Sequence, residues 1–206
     1  RRSGKSVMLE LIQQELLESG VTPSQFISIN FEDLRYTRLH TAEALHQEIL
    51  ERAAKIDGKV YLFFDEIQEV ADWEKCVNSL RVAIDCDIYI TGSNAKLLSG
   101  ELATYIGGRY VEFVIYPFSY AEFSELYRTV FPDASDAACF SQYLLSGGMP
   151  YLSNLRYEEE PCRQYLTDLF NSVQLKDIVQ RAKVRDVDLL QRILAYVMAN
   201  VGTTFS

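Results

Sequence analysis

The sequence predicts an α/β fold built on a mainly parallel sheet and followed by an all-helical unit. Three observations carry that expectation. Short apolar runs that end in polar residues alternate with helix-periodic segments through the first half of the chain, and such alternation winds into a parallel sheet with helices on its faces. One run, Val60-Tyr61-Leu62-Phe63-Phe64, is continuously apolar, as strands covered on both faces are. Beyond Pro117 the strand pattern stops and only helical periodicity is found.

Taken in order, the segment from Ser6 to Ser19 spaces Val7, Leu9, Leu11, Ile12, Leu16 and Leu17 mainly as a helix does and closes on Gly20, a natural C-terminal cap. Phe26 to Phe31 alternates like a strand, with Glu32 and Asp33 at its end. A second helix is expected from Leu39 to Ile56, with Ala42, Leu45, Ile49, Ala53 and Ile56 on one face and Asp57-Gly58 as its stop. After the Val60–Phe64 strand come a helix over Asp72–Ile84, a strand over Ile88–Ile90, a helix over Ala95–Tyr105 and a strand over Val111–Ile115. The helical unit is read as segments 119–129, 136–146, 159–183 and 186–200, broken at Gly147-Gly148-Met149-Pro150. No internal repeat or low-complexity tract interrupts the chain.

Composition sets the class. The chain has 206 residues, 48% hydrophobic and 24% charged, enough for a sizeable core and the balance of a globular protein. No apolar run approaches the ~20 residues that cross a bilayer, and Arg1-Arg2-Ser3-Gly4-Lys5-Ser6 has no signal-peptide core; a cytoplasmic protein with no membrane partner is expected. Cys76, Cys86, Cys139 and Cys162 form no CxxC pair and lie apart from His40 and His46, so reduced thiols are expected rather than a metal site. The net charge of -9 opposes a nucleic-acid interface over the whole surface. It is uneven: residues 156–206 carry seven basic and seven acidic side chains, leaving 13 and 22 for the rest. Lys176 to Arg192 is therefore where a local basic face, or simply a solvated helix, would lie.

Chemistry is concentrated at four places. Gly4-Lys5-Ser6 opens a helix, as the end of a phosphate-binding loop does: backbone N–H groups wrap the phosphates, the lysine reaches the β and γ phosphates, and the serine hydroxyl binds Mg²⁺. By itself the triplet is weak, since the first glycine of the full motif would fall before Gly4. Asp65-Glu66 ends an apolar strand at the sheet edge where open α/β folds bind ligands. Asp65 would hold Mg²⁺ through its water shell, and Glu66 would orient and deprotonate the attacking water. Thr91-Gly92-Ser93-Asn94 ends a further strand, where Asn94 or Ser93 could sense the γ phosphate, or merely cap a helix. Arg109, after Gly107-Gly108, could stabilise charge on the transferring phosphoryl group from its own subunit or a neighbour, or form a surface ion pair. The two acidic and phosphate motifs, in the right order with one strand and one helix between them, define an ATP and Mg²⁺ site.

These motifs, with Asn30-Phe31-Glu32-Asp33, Phe64-Asp65-Glu66-Ile67-Gln68, Pro117-Phe118-Ser119-Tyr120-Ala121-Glu122-Phe123 and Gly147-Gly148-Met149-Pro150, resemble a family of bacterial and archaeal AAA-like ATPases. The resemblance covers nearly the whole chain. It implies a P-loop NTPase sheet, a helical lid, a winged-helix segment and then a C-terminal domain of unknown function, nuclease-like in some members. Placed on this sequence, it implies an ATPase core over residues 1–116, a lid over 117–184 and the start of the winged helix over 185–206. It further implies phosphate binding at Gly4, Lys5 and Ser6, Mg²⁺ at Ser6 and Asp65, water activation at Glu66, sensing at Asn94 or Ser93, and an arginine role at Arg109. The strand that leads into the loop, and the segment beyond the first winged-helix element, have no counterpart in these 206 residues. Such a piece is expected to bind ATP poorly by itself, because that strand lies inside the sheet and its absence leaves inner edges unpaired.

The function expected is an ATPase acting as a nucleotide-driven switch or motor, with a protein or DNA partner beyond the lid and self-association left open. The alternative is a non-catalytic binding module on the same scaffold. Glu66 beside Asp65 counts against a small-molecule kinase, and the lack of Asn-Lys-x-Asp counts against a GTPase.

Overall fold

In the computed structural model, which describes residues 2–92, 108–173 and 186–202, three apolar runs pair into one sheet. Strands β1 (Phe26–Asn30), β2 (Val60–Asp65) and β3 (Cys86–Ile90) lie in the order β1-β2-β3, all parallel. Each parallel neighbour is reached through a helix, α2 (Ala42–Ala53) between β1 and β2 and α3 (Trp73–Ala83) between β2 and β3; helix α1 (Lys5–Glu18) precedes the sheet.

The period of two along each strand divides the side chains between two faces. Ile27, Ile29, Leu62 and Phe64 pack in one buried cluster with Leu45 and Ile49 of α2 and Val77 and Leu80 of α3, and Ile88 and Ile90 join its margin. Fully burying side chains of this size is worth about 1.5–3 kcal/mol each, so this layer holds the sheet together. The other face is aromatic. Phe63 stacks on Tyr89 with ring centroids 4.9 Å apart, and Phe26 meets Phe63 edge-on at 5.5 Å; Ser28, on the same face, donates to Gln13 of α1 at 3.4 Å.

Local chemistry fixes the ends. Gly20, at φ +100°, closes α1 with N–H bonds from Gly20 to Leu17 and from Val21 to Leu16, both 3.0 Å, a left-handed stop that glycine takes without strain. The expected helix over 39–56 opens differently: Leu34–Leu39 is a 3-10 segment, and α2 begins only after Thr41, whose hydroxyl accepts from the N–H of Ala44 at 3.3 Å. In α1 only Leu9 is buried, and Val7 and Leu11 stay exposed.

The strand expected over Val111–Ile115 is not formed. Residues 110–116 have no ladder partner among the described residues, and Val111 and Phe113 are 78% and 79% exposed. Alternating apolar residues permit a strand, but only a neighbour to hydrogen-bond with creates one. The helix expected over Ala95–Tyr105 and the end of the one over 159–183 lie outside the described residues.

The chain divides into two compact units, Arg2–Ser119 and Tyr120–Ser206. The second contains helices α4 (Tyr120–Val130), α5 (Asp136–Ser146), α6 (Glu159–Val173) and α7 (Val187–Ala199). Phe123 is its buried hub, with ring contacts to Tyr127, Tyr143 and Tyr157 at 5.5, 5.2 and 5.4 Å. Ser135 caps α5 and Asp186 caps α7 by accepting first-turn N–H groups. Among the described residues no helix is long and apolar enough to cross a membrane.

Candidate functional site

At the start of α1, Gly4 has φ +98°, and a Cβ there would meet nothing within 4 Å. Backbone conformation rather than space therefore calls for glycine. As the N-cap residue, Gly4 supplies no side-chain cap to this helix start, so its first-turn N–H groups suit an anionic ligand. Lys5 is half-buried and Ser6 exposed.

The strand tips form the second part. The parallel register sets Asn30 opposite Asp65 and continues one residue past β3, where the N–H of Thr91 donates to the carbonyl of Phe64 at 2.9 Å. Asn30, Asp65 and Thr91 thus end three adjacent strands in one row. Asp65 is only 7% exposed, and both of its oxygens are engaged. Oδ2 accepts from Asn30 Nδ2 at 3.0 Å, and Oδ1 accepts from the Thr91 hydroxyl. The Asn30 amide is itself oriented, because its Oδ1 accepts the N–H of Glu32 at 2.9 Å.

Glu66 follows in the left-handed region, φ +56° and ψ +48°, a conformation that costs a non-glycine residue about 1–2 kcal/mol. The surrounding structure holds it there. Its N–H donates to Thr91 Oγ1 at 3.3 Å, its carboxylate accepts from the Gln68 amide, and buried Ile67 anchors the next turn. A strained backbone beside an acid at a strand tip is a common companion of function.

The residues fit a bound nucleotide and its Mg²⁺. Asp65 is a buried carboxylate whose described partners are both neutral, and no described ion pair neutralises it. Such a group suits a divalent cation that shares one or two carboxylates with phosphate and water. No cluster of three or more His, Cys, Asp or Glu side chains among the described residues could form an all-protein cage.

Of the residues expected from sequence, Asp65 and Glu66 are brought together with Thr91 and Asn30. Gly4, Lys5 and Ser6 open α1, with no described hydrogen bond from Lys5 or Ser6 to Asp65. Arg109 lies exposed after Gly108, at φ +70°, and makes no described contact with Asp65. Ser93 and Asn94 lie outside the described residues. Sequence reasoning gave no role to Asn30 or Thr91, although three strands ending in polar residues at one rim was the available signal.

A parallel sheet with a buried carboxylate and a glutamate at its strand tips, and a glycine-opened helix carrying lysine and serine, is a P-loop NTPase-like α/β fold. The chain belongs to the AAA-domain family: the model described as an AAA domain matches residues 1–124. A model described as a domain of unknown function matches residues 138–206. An uncharacterized protein of Haemophilus influenzae is 39% identical over 203 residues, covering 98% of this chain and 50% of the relative. An uncharacterized protein of Methanocaldococcus jannaschii is 32% identical over 212 residues, covering 97% and 46%. The chain therefore spans about half the length of these relatives. No solved structure matches it.

Proposed function

We propose that this chain is the nucleotide-binding core of an ATP-hydrolysing switch or motor. The observation that carries the reading is Asp65, buried between two neutral donors at the strand tips, with Glu66 beside it in a constrained turn. The N–H groups after Gly4 and the ammonium of Lys5 bind the phosphates. Ser6 and Asp65 hold Mg²⁺, which when bound neutralises charge on the β and γ phosphates. Glu66 takes the proton of the attacking water, Asn94 or Ser93 orients that water, and Arg109 stabilises developing charge in cis or in trans.

On this reading, residues 1–116 are the core, 117–184 the lid and 185–206 the beginning of a winged helix that hands the nucleotide state to a protein or DNA partner. The protein works in the cytoplasm.

The test is phosphate release by the full-length protein. Mg²⁺-dependent release from ATP, nearly abolished by Glu66→Gln while ATP is still bound, is the expected result. Release that Glu66→Gln leaves undiminished would remove Glu66 from the mechanism.

A further inference from the structure

Thr91 makes more contacts than the end of a strand requires. It is 8% exposed and touches four successive residues of the β2 tip. Its N–H donates to the Phe64 carbonyl at 2.9 Å, its carbonyl accepts from the N–H of Ile67 at 3.1 Å, its hydroxyl donates to Asp65 Oδ1, and the same oxygen accepts from the N–H of Glu66 at 3.3 Å. The two backbone contacts are open to any residue but proline. The two hydroxyl contacts need an O–H that donates and accepts at once, which serine and threonine supply and valine, of the same shape, does not.

The consequences differ for the two acids. The hydroxyl fixes the rotation of the Asp65 carboxylate jointly with Asn30. It also satisfies the N–H of a residue held at φ +56°, and so helps to keep the turn that aims Glu66.

We infer that Thr91 is a positioning residue whose hydroxyl couples Asp65 to Glu66, orienting the carboxylate that meets Mg²⁺ and the backbone that presents the base. This rests on the functional reading above. It is separate from phosphate sensing at Ser93 or Asn94, because the Thr91 hydroxyl is spent on the two acids. A merely structural threonine would matter for stability alone.

The experiment compares the full-length wild type with Thr91→Val and Thr91→Ser. Half-saturating Mg²⁺ is read from binding of a fluorescent, non-hydrolysable ATP analogue, beside kcat and KM for ATP at saturating Mg²⁺ and the thermal midpoint without either ligand. Loss of a hydrogen bond to a charged group is expected to raise the half-saturating Mg²⁺ of Thr91→Val about tenfold and lower its kcat about tenfold or more. Its KM at saturating Mg²⁺ should move less than about threefold, and Thr91→Ser should restore both the half-saturating Mg²⁺ and kcat to near wild type. Should Thr91→Val fail to fold, Thr91→Cys, a weak donor of similar size, takes its place with the same expected direction. A valine or cysteine variant with wild-type Mg²⁺ dependence and kcat overturns the inference alone, as does a serine variant no better than valine. A wild type that binds no Mg²⁺-nucleotide overturns the functional reading, and the inference with it.

Discussion

Two carboxylates in the sheet unit are treated in opposite ways. Glu48, on α2, lies between Arg38 at 2.7 Å and Arg52 at 2.5 Å, and hydrogen bonding to the Arg52 guanidinium, with further help from Arg38, holds its carboxyl below the ordinary value of 4.5. Asp65, at the strand tips, is more deeply set, and its described partners are an amide and a hydroxyl. The α2 layer neutralises its acid with the protein's own cations, so that acid is committed to structure. The strand-tip row orients its acid with no described ion pair, an arrangement that suits a carboxylate shared with a divalent cation.

The comparison predicts that the two regions fail separately. The largest effect belongs to Glu66→Gln, expected to lower ATP turnover in the full-length protein about 10²–10⁴-fold, with the thermal midpoint unchanged. In the structural layer, Leu45→Ala empties a fully buried position under the sheet and should cost about 2–5 kcal/mol in chemical denaturation. Turnover per folded molecule should stay at the wild-type level, and a matching loss of kcat would show that the two regions are coupled.

Lys5→Ala comes next. Removing a charge-assisted contact worth about 1.5–3 kcal/mol should weaken ATP binding by the full-length protein, measured by calorimetry, roughly 10- to 100-fold. Unchanged affinity would make the Gly4-Lys5-Ser6 triplet a chance match and leave the strand tips as the sole support for the site.

The smallest effect is that of Glu48→Gln, about 1 kcal/mol or less for a surface pair. Its pH dependence has a definite sign. Because the folded-state carboxyl lies below its ordinary 4.5, the stabilisation is fully present above that value and is lost as pH falls through the lowered folded value. Wild type and Glu48→Gln should therefore converge in thermal midpoint as acid is added below about pH 4.5. A difference that persists in strong acid would assign the effect to packing rather than charge.

Much of this fold could be read from the chain because its signals are local. The apolar runs at Phe26, Val60 and Ile88, the face Ala42-Leu45-Ile49-Ala53 and the stop at Gly20 each follow from a period or a backbone preference contained in a few residues. The adjacency of Asp65 and Glu66 and the Gly-Lys-Ser opening of α1 are likewise properties of the chain alone. The failed strand at 111–115 marks the limit, since its composition was right and its pairing partner was not something the segment itself could specify.

What only the tertiary structure decided is the row across the strand tips. Asn30, Asp65 and Thr91 stand far apart in sequence, and they meet because the parallel register aligns the ends of β1, β2 and β3; a slip of one residue would turn their side chains to the other face. The same holds for Glu66. Nothing local distinguishes a glutamate at φ +56° from one in an ordinary turn, and the strain persists because Thr91, brought there by the fold, and the neighbouring Gln68 and Ile67, the latter buried by it, hold the turn in place. Sequence fixes which acids stand at the tip, and packing fixes where they point, since hydrogen-bond geometry between strands exists only once the strands are paired.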